Sequence, residues 1–158
     1  CDPMPLLRAA LSWNFVLATA ICASLLAQLI KVLLNLFIFH RFIAERMWGA
    51  GGMPSSHSAT VCAMVVATGR YCGVNSPLFA IAAVLSIIVM YDAMGVRYET
   101  GEQAKVLNRM FTEWMDQGFE QFQLPHGKKL KEMVGHTPIE VVTGAALGIV
   151  LGFAMPMV

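Results

Sequence analysis

Gly51-Gly52-Met53-Pro54-Ser55-Ser56-His57-Ser58 is the stretch on which the reading of this chain turns. It separates two long apolar runs. Two glycines and a proline forbid a helix, so the chain must turn here. Ser55, Ser56 and Ser58 then place hydroxyls beside the unpaired backbone N–H groups of an apolar helix predicted to start near Ala59. A helix N-terminus with serines and a histidine suits an anion. It equally suits a plain serine N-cap beside a spectator histidine, and the stretch alone reads both ways.

The flanking runs set the class of protein. Of the 158 residues, 57% are hydrophobic and 13% charged, against roughly 25% charged in soluble domains. Such a chain cannot cover its surface with polar groups and belongs in a bilayer. Its length suits one membrane-embedded domain over residues 1–158. The net charge of +1, with no basic tract or interleaved aromatics, gives no sign of nucleic acid as a partner. Cys1, Cys22, Cys62 and Cys72 match no zinc or disulfide spacing and read as reduced. The chain starts at Cys1 rather than Met, which reads as a trimmed or processed piece, and no signal peptide is evident.

Upstream of the turn, residues 11–39 carry a single charge, Lys31. That run exceeds the roughly 20 residues needed to span a membrane. Lys31 sits about two turns inside its far end, where it must either snorkel to the surface or find an anion. Downstream, residues 58–72 predict a short second spanning helix. After the turn Asn75-Ser76-Pro77, residues 78–96 predict a third, with Asp92 near its end and Arg97 just beyond. Asp92 and Arg97 fit either a shared site or a simple pair at the membrane edge. Over residues 100–122, Leu107, Met110, Phe111, Trp114 and Phe122 recur at helical spacing opposite Glu102, Lys105, Arg109, Glu113 and Asp116. This predicts an amphipathic helix that lies in the interface or caps the bundle, with no part in catalysis. A last helix is predicted from about Thr137 to Met157. Its Gly144 and Gly148 form a small-residue face for packing within one chain or between two.

The expected fold is therefore all-α: an integral membrane bundle of about four spanning helices plus one interfacial amphipathic helix. Four spans put residues 40–57 and 97–136 on one side. That side carries Arg41, Arg46, Arg97, Lys105, Arg109, Lys128, Lys129 and Lys131, and the other only Arg8 and Arg70. The positive-inside rule turns the richer side to the cytoplasm, or to a plastid stroma. The same topology gathers His57, Arg97, His136 and Lys31 at one membrane face, which favours an anion site.

Gly135-His136-Thr137-Pro138-Ile139-Glu140-Val141-Val142-Thr143-Gly144 is the second informative stretch. Pro138 fits the first turn of a helix. Glu140 lies one turn after His136. A carboxylate there can hold the imidazole in one tautomer and leave its other nitrogen free to attack. The same pair also fits a capping histidine with a glutamate that favours the helix start.

Pro54-Ser55-Ser56-His57 resembles the P-S-x-H motif of the type-2 phosphatidic acid phosphatase family. His136-x-x-x-Glu140-Val141-x-x-Gly144 resembles that family's H-x-x-x-D-V-x-x-G, with Glu for Asp. Gly51–Ala59, Asp92–Arg97, Gly101-Glu102-Gln103-Ala104 through Asn108, and Gly135–Gly144 are similar to its divergent branch, related to acid phosphatases and vanadium-dependent haloperoxidases. The resemblance covers about residues 20–155. It implies a phosphatase of lipid phosphate monoesters, such as phosphatidylglycerophosphate, phosphatidate or an isoprenoid phosphate, that needs neither metal nor other cofactor. In that reading His136 attacks phosphorus, Glu140 orients it, and His57 protonates the leaving alkoxide and then activates water. Lys31, Ser55, Ser56 and an arginine, Arg97 or Arg41, hold the phosphoryl oxygens, with Asp92 in support.

Three departures from the family pattern stand out. After Lys31 and six intervening residues comes Ile38 where the family has arginine. Leu130 stands where it has an arginine before the second histidine. Four spans are fewer than its usual six. They leave a second reading, a non-catalytic membrane scaffold or assembly factor that binds lipid head groups. A metal site of His57, His136, Asp92 and Glu140 is a third reading, opposed by the cations around it.

Overall fold

The computed structural model describes residues 14–39, 52–116, 129–132 and 134–157. Five helices make up these residues: α1 (Phe15–Phe39), α2 (Ser56–Cys72), α3 (Pro77–Met94), α4 (Val96–Asp116) and α5 (Pro138–Ala154). Arg41, Arg46, Phe122, Lys128 and Cys1 lie outside the described residues, as does the expected continuation of the amphipathic helix from 117 to 122.

α2 is the hub, packed against α1, α3 and α5. Its sequence suits that place. A helix surrounded by other helices needs small surfaces rather than a large apolar skin, and Ser58, Ala59, Cys62, Ala63, Ala67 and Thr68 are buried along it. α1 shows the complementary pattern in every fourth residue. Phe15, Thr19, Ala23, Ala27 and Lys31 form the buried stripe, while Leu17, Ile21, Leu25, Leu29 and Leu33 face outward. Small residues inside and leucines outside invert the pattern of a water-soluble helix; the inward face lets backbones approach, and the outward face suits lipid tails. Leu25 is 65% exposed, as is Phe153 on α5. Two stretches, Phe15–Phe37 and Pro77–Trp114, are long and apolar enough to cross a membrane, and Pro138–Ala154 is a shorter apolar helix.

Contacts fix the directions. Lys31 lies against Gly52, and Phe15 lies by Tyr71, ring centroids 6.3 Å apart, so α1 runs antiparallel to α2. Cys62 Sγ meets Ser86 Oγ and Met90 Sδ, each at 3.8 Å, and Gly69 faces Phe79, so α3 is antiparallel as well. α5 runs parallel to α2. Its Gly144, Gly148 and Gly152 press on Ser55, Ala59 and the Ala63–Val66 turn. At the far end Arg70 Nη1 donates to Gly152 O and Met155 O, both at 2.7 Å, and so satisfies the open carbonyls at the end of α5.

Two expectations need correction. α2 starts at Ser56 rather than near Ala59, because Ser55 serves as its N-cap. Arg97 does not end the third helix: α3 stops at Met94, and after Gly95 alone Arg97 falls in the first turn of α4. The turn expected before α3 is present, Ser76 N donating to Gly73 O at 3.2 Å, and Ser76 then caps α3 with its Oγ accepting from Phe79 N. Of the two uses read for the Gly144/Gly148 face, packing within one chain is the one seen, against α2.

Candidate active site

His136 is placed by backbone contacts before its side chain does anything. Gly135 has φ +90°, and a Cβ there would overlap the backbone of Arg97 and Tyr98, so only glycine lets the chain pass. His136 N then donates to Ala93 O at 3.0 Å, fastening it to the end of α3. Further upstream the segment is held on α4. Asn108 Nδ2 donates to Leu130 O at 2.9 Å and to Glu132 Oε1 at 2.8 Å, and Leu130 N donates to Asn108 Oδ1 at 2.9 Å. Gly101 meets the backbone of Glu132 and Val134 with no room for a side chain. Gly101, Ala104 and Asn108 are thus a buried rail on α4 along which residues 130–132, 134 and 135 are seated. The sequence reading gave this helix no part in catalysis; what it does here is hold the segment that leads to His136.

Thr137 caps α5 and Glu140 is the third residue of that helix. Glu140 N donates to Thr137 Oγ1 at 3.4 Å and Thr137 N to Glu140 Oε2 at 3.0 Å, a capping box. The same Oε2 accepts from His136 Nδ1–H at 3.2 Å. With the proton on Nδ1, Nε2 carries the lone pair. The His136 side chain is 3% exposed, and Nε2 is buried with no hydrogen-bond partner. Burial pushes the imidazole below its ordinary value, and the bond to Glu140 pulls part of the way back.

His57 is the second residue of α2. Its ring centroid is 6.1 Å from that of His136, the planes inclined at 58°. Ser55 N donates to Glu140 O at 2.9 Å, which ties the start of α2 directly to the start of α5. The Ser55 hydroxyl is occupied as well, accepting from Ser58 N at 3.4 Å and from Ser58 Oγ at 3.1 Å. The plain N-cap role therefore falls to Ser55. Ser56 is buried and its Oγ lies 3.3 Å from Gln28 Nε2.

Lys31 is 2% exposed. Its methylenes lie along Gly52, which has φ +97°, and its charge acts on His57, His136 and Glu140. Among the described residues no carboxylate lies at ion-pair distance from it. Arg97 and Asp92 form the pair that their spacing allowed, Nε to Oδ2 at 2.6 Å, and both still act on the charge of His57. Arg41 lies outside the described residues. Among those residues no three His, Cys, Asp or Glu side chains are grouped to hold a metal ion.

The structure thus brings together His57, His136, Glu140 and Lys31, with Ser56 beside them and the Arg97–Asp92 pair at the edge. A pocket of about 150 Å³ opens next to Glu140 between α4 and the seated segment, lined in part by Tyr98, Lys105, Glu132 and Thr137. Gln28 was not singled out from the sequence, and Asn108 was named only as the end of the Gly101–Asn108 stretch, with no role given to it. Asn108 carried a signal, as a polar residue in phase with Gly101 and Ala104 on one helical face.

The pattern of the Divergent PAP2 family matches residues 12–151. YuiD, an uncharacterised membrane protein of Bacillus subtilis (strain 168), is 39% identical over 144 residues, which cover 87% of this chain and 91% of that protein. No solved structure matches. The match runs over nearly the whole chain and takes in both of the histidines that the fold brings side by side: this protein belongs to the divergent PAP2 family.

Proposed function

We propose that this protein is a phosphatase of lipid phosphate monoesters, a single membrane-embedded domain working through a phosphohistidine. The observation that carries the reading is the placement of His136: Nδ1 on Glu140 and a buried, unpartnered Nε2 beside His57. A neutral imidazole with one nitrogen pinned and the other free is an activated nucleophile. The separation of the rings suits a tetrahedral phosphorus and its ester oxygen between them, at near-attack distances of roughly 3–3.5 Å.

In this mechanism Nε2 of His136 attacks phosphorus. The N–P bond forms as the P–O ester bond breaks, and the leaving alkoxide takes a proton from His57. His57 then removes a proton from water, which attacks the phosphohistidine. The P–N bond breaks and inorganic phosphate leaves. Lys31, the hydroxyl of Ser56 and the amides of the first turn of α2 stabilise the phosphoryl oxygens. Arg97 joins them from the edge of the site. The reading calls on no metal ion, since fixed cations supply the positive charge.

α1, α2, α3 and α5 are read as four spans and α4 as an interfacial helix whose Val106, Leu107 and Met110 reach the lipid. The site then lies at the cytoplasmic or stromal face. That face suits a biosynthetic intermediate made on the same side, such as phosphatidylglycerophosphate, phosphatidate or an isoprenoid phosphate.

The test is phosphate release by purified protein in lipid nanodiscs, over a set of lipid phosphates, with a chelator and with orthovanadate. Turnover that survives the chelator, is blocked by vanadate and is lost in His136→Ala is expected. Undiminished turnover in His136→Ala removes the nucleophile. One observation favours a second reading, a lipid-binding scaffold: Arg97 is engaged by Asp92 at 2.6 Å. A protein that binds lipid phosphate yet releases none under any condition meets that reading instead.

A further inference from the structure

The first departure from the family pattern leaves the phosphoryl site short of a donor on α1. Where the resembled pattern has an arginine after the lysine and six intervening residues, this chain has Ile38. Gln28 stands one turn before Lys31 on the same helix. It is a carboxamide inside an apolar span, which is costly unless both its ends are bonded. Only one end is. Nε2 lies 3.3 Å from Ser56 Oγ, and Oε1 is buried with no partner. A glutamine serving only to glue α1 to α2 would have both ends satisfied. An open end in the seam that also holds Lys31 and Ser56 calls for a ligand.

We infer that Gln28 is a phosphoryl-binding residue, a neutral donor on α1 that works with Lys31. A half-turn of the amide exchanges its two ends. The Ser56 hydroxyl then donates to Oε1 and leaves its place on the phosphoryl group to the NH₂, which takes the open position, where its hydrogens face an anion. The site thereby holds the phosphoryl group with one fixed charge and one dipole from α1. It gives up the bidentate grip of a guanidinium. The ligand is a tetrahedral oxyanion: the phosphate monoester of the proposed reaction, free phosphate, or vanadate. The assignment rests on the phosphatase reading for its substrate and on the seam geometry for its anion.

The experiment measures anion binding apart from turnover. Full-length protein in nanodiscs is modified with diethylpyrocarbonate, and the rate at His136 is followed by mass spectrometry against rising orthovanadate. Inorganic phosphate is run in parallel. Two variants are compared with wild type. Gln28→Glu keeps the shape and the partner Ser56 but puts a negative charge in the seam. Gln28→Met keeps the volume and removes both amide atoms. The vanadate concentration for half protection is expected to rise by more than ~10-fold in Gln28→Glu and by ~3–10-fold in Gln28→Met. Half protection at the wild-type concentration in both variants, with a lowered melting temperature, overturns the inference and leaves Gln28 as glue. A wild-type protein that vanadate does not protect overturns it too. Protection without phosphate release from any lipid phosphate sinks the phosphatase reading while the shift in Gln28→Glu still supports the anion role.

Discussion

Gly144→Ala tests the contact on which the site is built. An ideal Cβ at Gly144 would overlap Ser55 O and stand only 3.0 Å from Ser55 C and N. Those atoms belong to the backbone at the start of α2 and cannot rotate away. Ordinary carbon contacts begin near 3.5 Å, so α5 must retreat from α2 by roughly 1 Å. Overpacking of this kind costs about 1–3 kcal/mol. The bond from Ser55 N to Glu140 O lies beside the clash, and its loss adds about 1 kcal/mol. Alanine returns about 1 kcal/mol through its better helix propensity. A net loss of about 1–3 kcal/mol is expected, read as an earlier thermal transition in nanodiscs. The effect on chemistry is the sharper one. Ser56 and His57 ride on α2, whereas Glu140 rides on α5 beside His136, so the same retreat parts the two halves of the site. A misplacement of 1 Å at a reacting group can cost ~10²-fold in rate. Gly152→Ala is the matched control. Its Cβ would press on Val66 Cβ at 2.6 Å, near Arg70 at the opposite end, so it should destabilise while folded protein keeps most of its turnover. Equal loss of turnover in the two variants, or a Gly144→Ala protein as stable and as active as wild type, refutes the reasoning.

Two further predictions follow from the seating of His136. Its burial favours the neutral ring, so the folded state binds fewer protons than the unfolded one below the ordinary histidine value of about 6.5. Its contribution to stability is present above that value and is lost as pH falls through the lower folded value. Turnover falls in the same direction as the nucleophile gains a proton, and it falls on the alkaline side as His57 loses the proton it must donate, so a pH–rate profile should be bell-shaped; a profile with no acid limb, or with an acid limb centred above pH 7, contradicts it. Asn108→Ala removes three hydrogen bonds from the segment that carries His136. It should lower kcat more than it raises KM and speed diethylpyrocarbonate modification of His136. Asn108→Asp, which sets a carboxylate against Glu132, should be worse. Wild-type kcat and modification rate in both variants would remove α4 from the positioning of the nucleophile.

Periodicity carried most of what could be read beforehand, because a helix buried on one side records its neighbours at every fourth residue. It revealed the apolar runs, the small-residue face of α5 and the His136–Glu140 spacing. It cannot say what covers a face, and the glycine stripe accordingly read as internal or intermolecular until α2 was seen to fill it. Arg97 was misplaced for a related reason: a helix that ends at Met94 and another that begins at Val96 leave a single glycine as the sign of a break. The rail on α4 was hidden more deeply. Its partner is an extended segment held through Leu130 N and O and through the backbone of Glu132 and Val134. Backbone atoms are the same in every residue and leave no mark in a sequence. Gln28 was passed over because one polar residue in a long apolar run disturbs no period; only the unfilled bonding capacity of its amide sets it apart.

The parallel packing of α2 and α5 decides how the site acquires its field. In the observed alternation, the end that holds the histidines receives two helix N-termini, from α2 and α5, and two C-termini, from α1 and α3. The four macrodipoles, about half an elementary charge each, largely cancel at a distance. An anion approaching from outside therefore meets no strong field from the helices themselves. Cancellation fails at short range, and the glycine stripe supplies that range by letting the starts of α2 and α5 touch through Ser55 N and Glu140 O. Between them lie the amides of the first turn of α2, while the Ala93 carbonyl at the end of α3 is covered by His136 N at 3.0 Å. Lys31 adds a full positive charge where α1 would otherwise contribute only its negative end. The site is thus anion-seeking only within a few ångströms of the two histidines, and widening the α2–α5 seam would cost it that character before it cost the protein its fold.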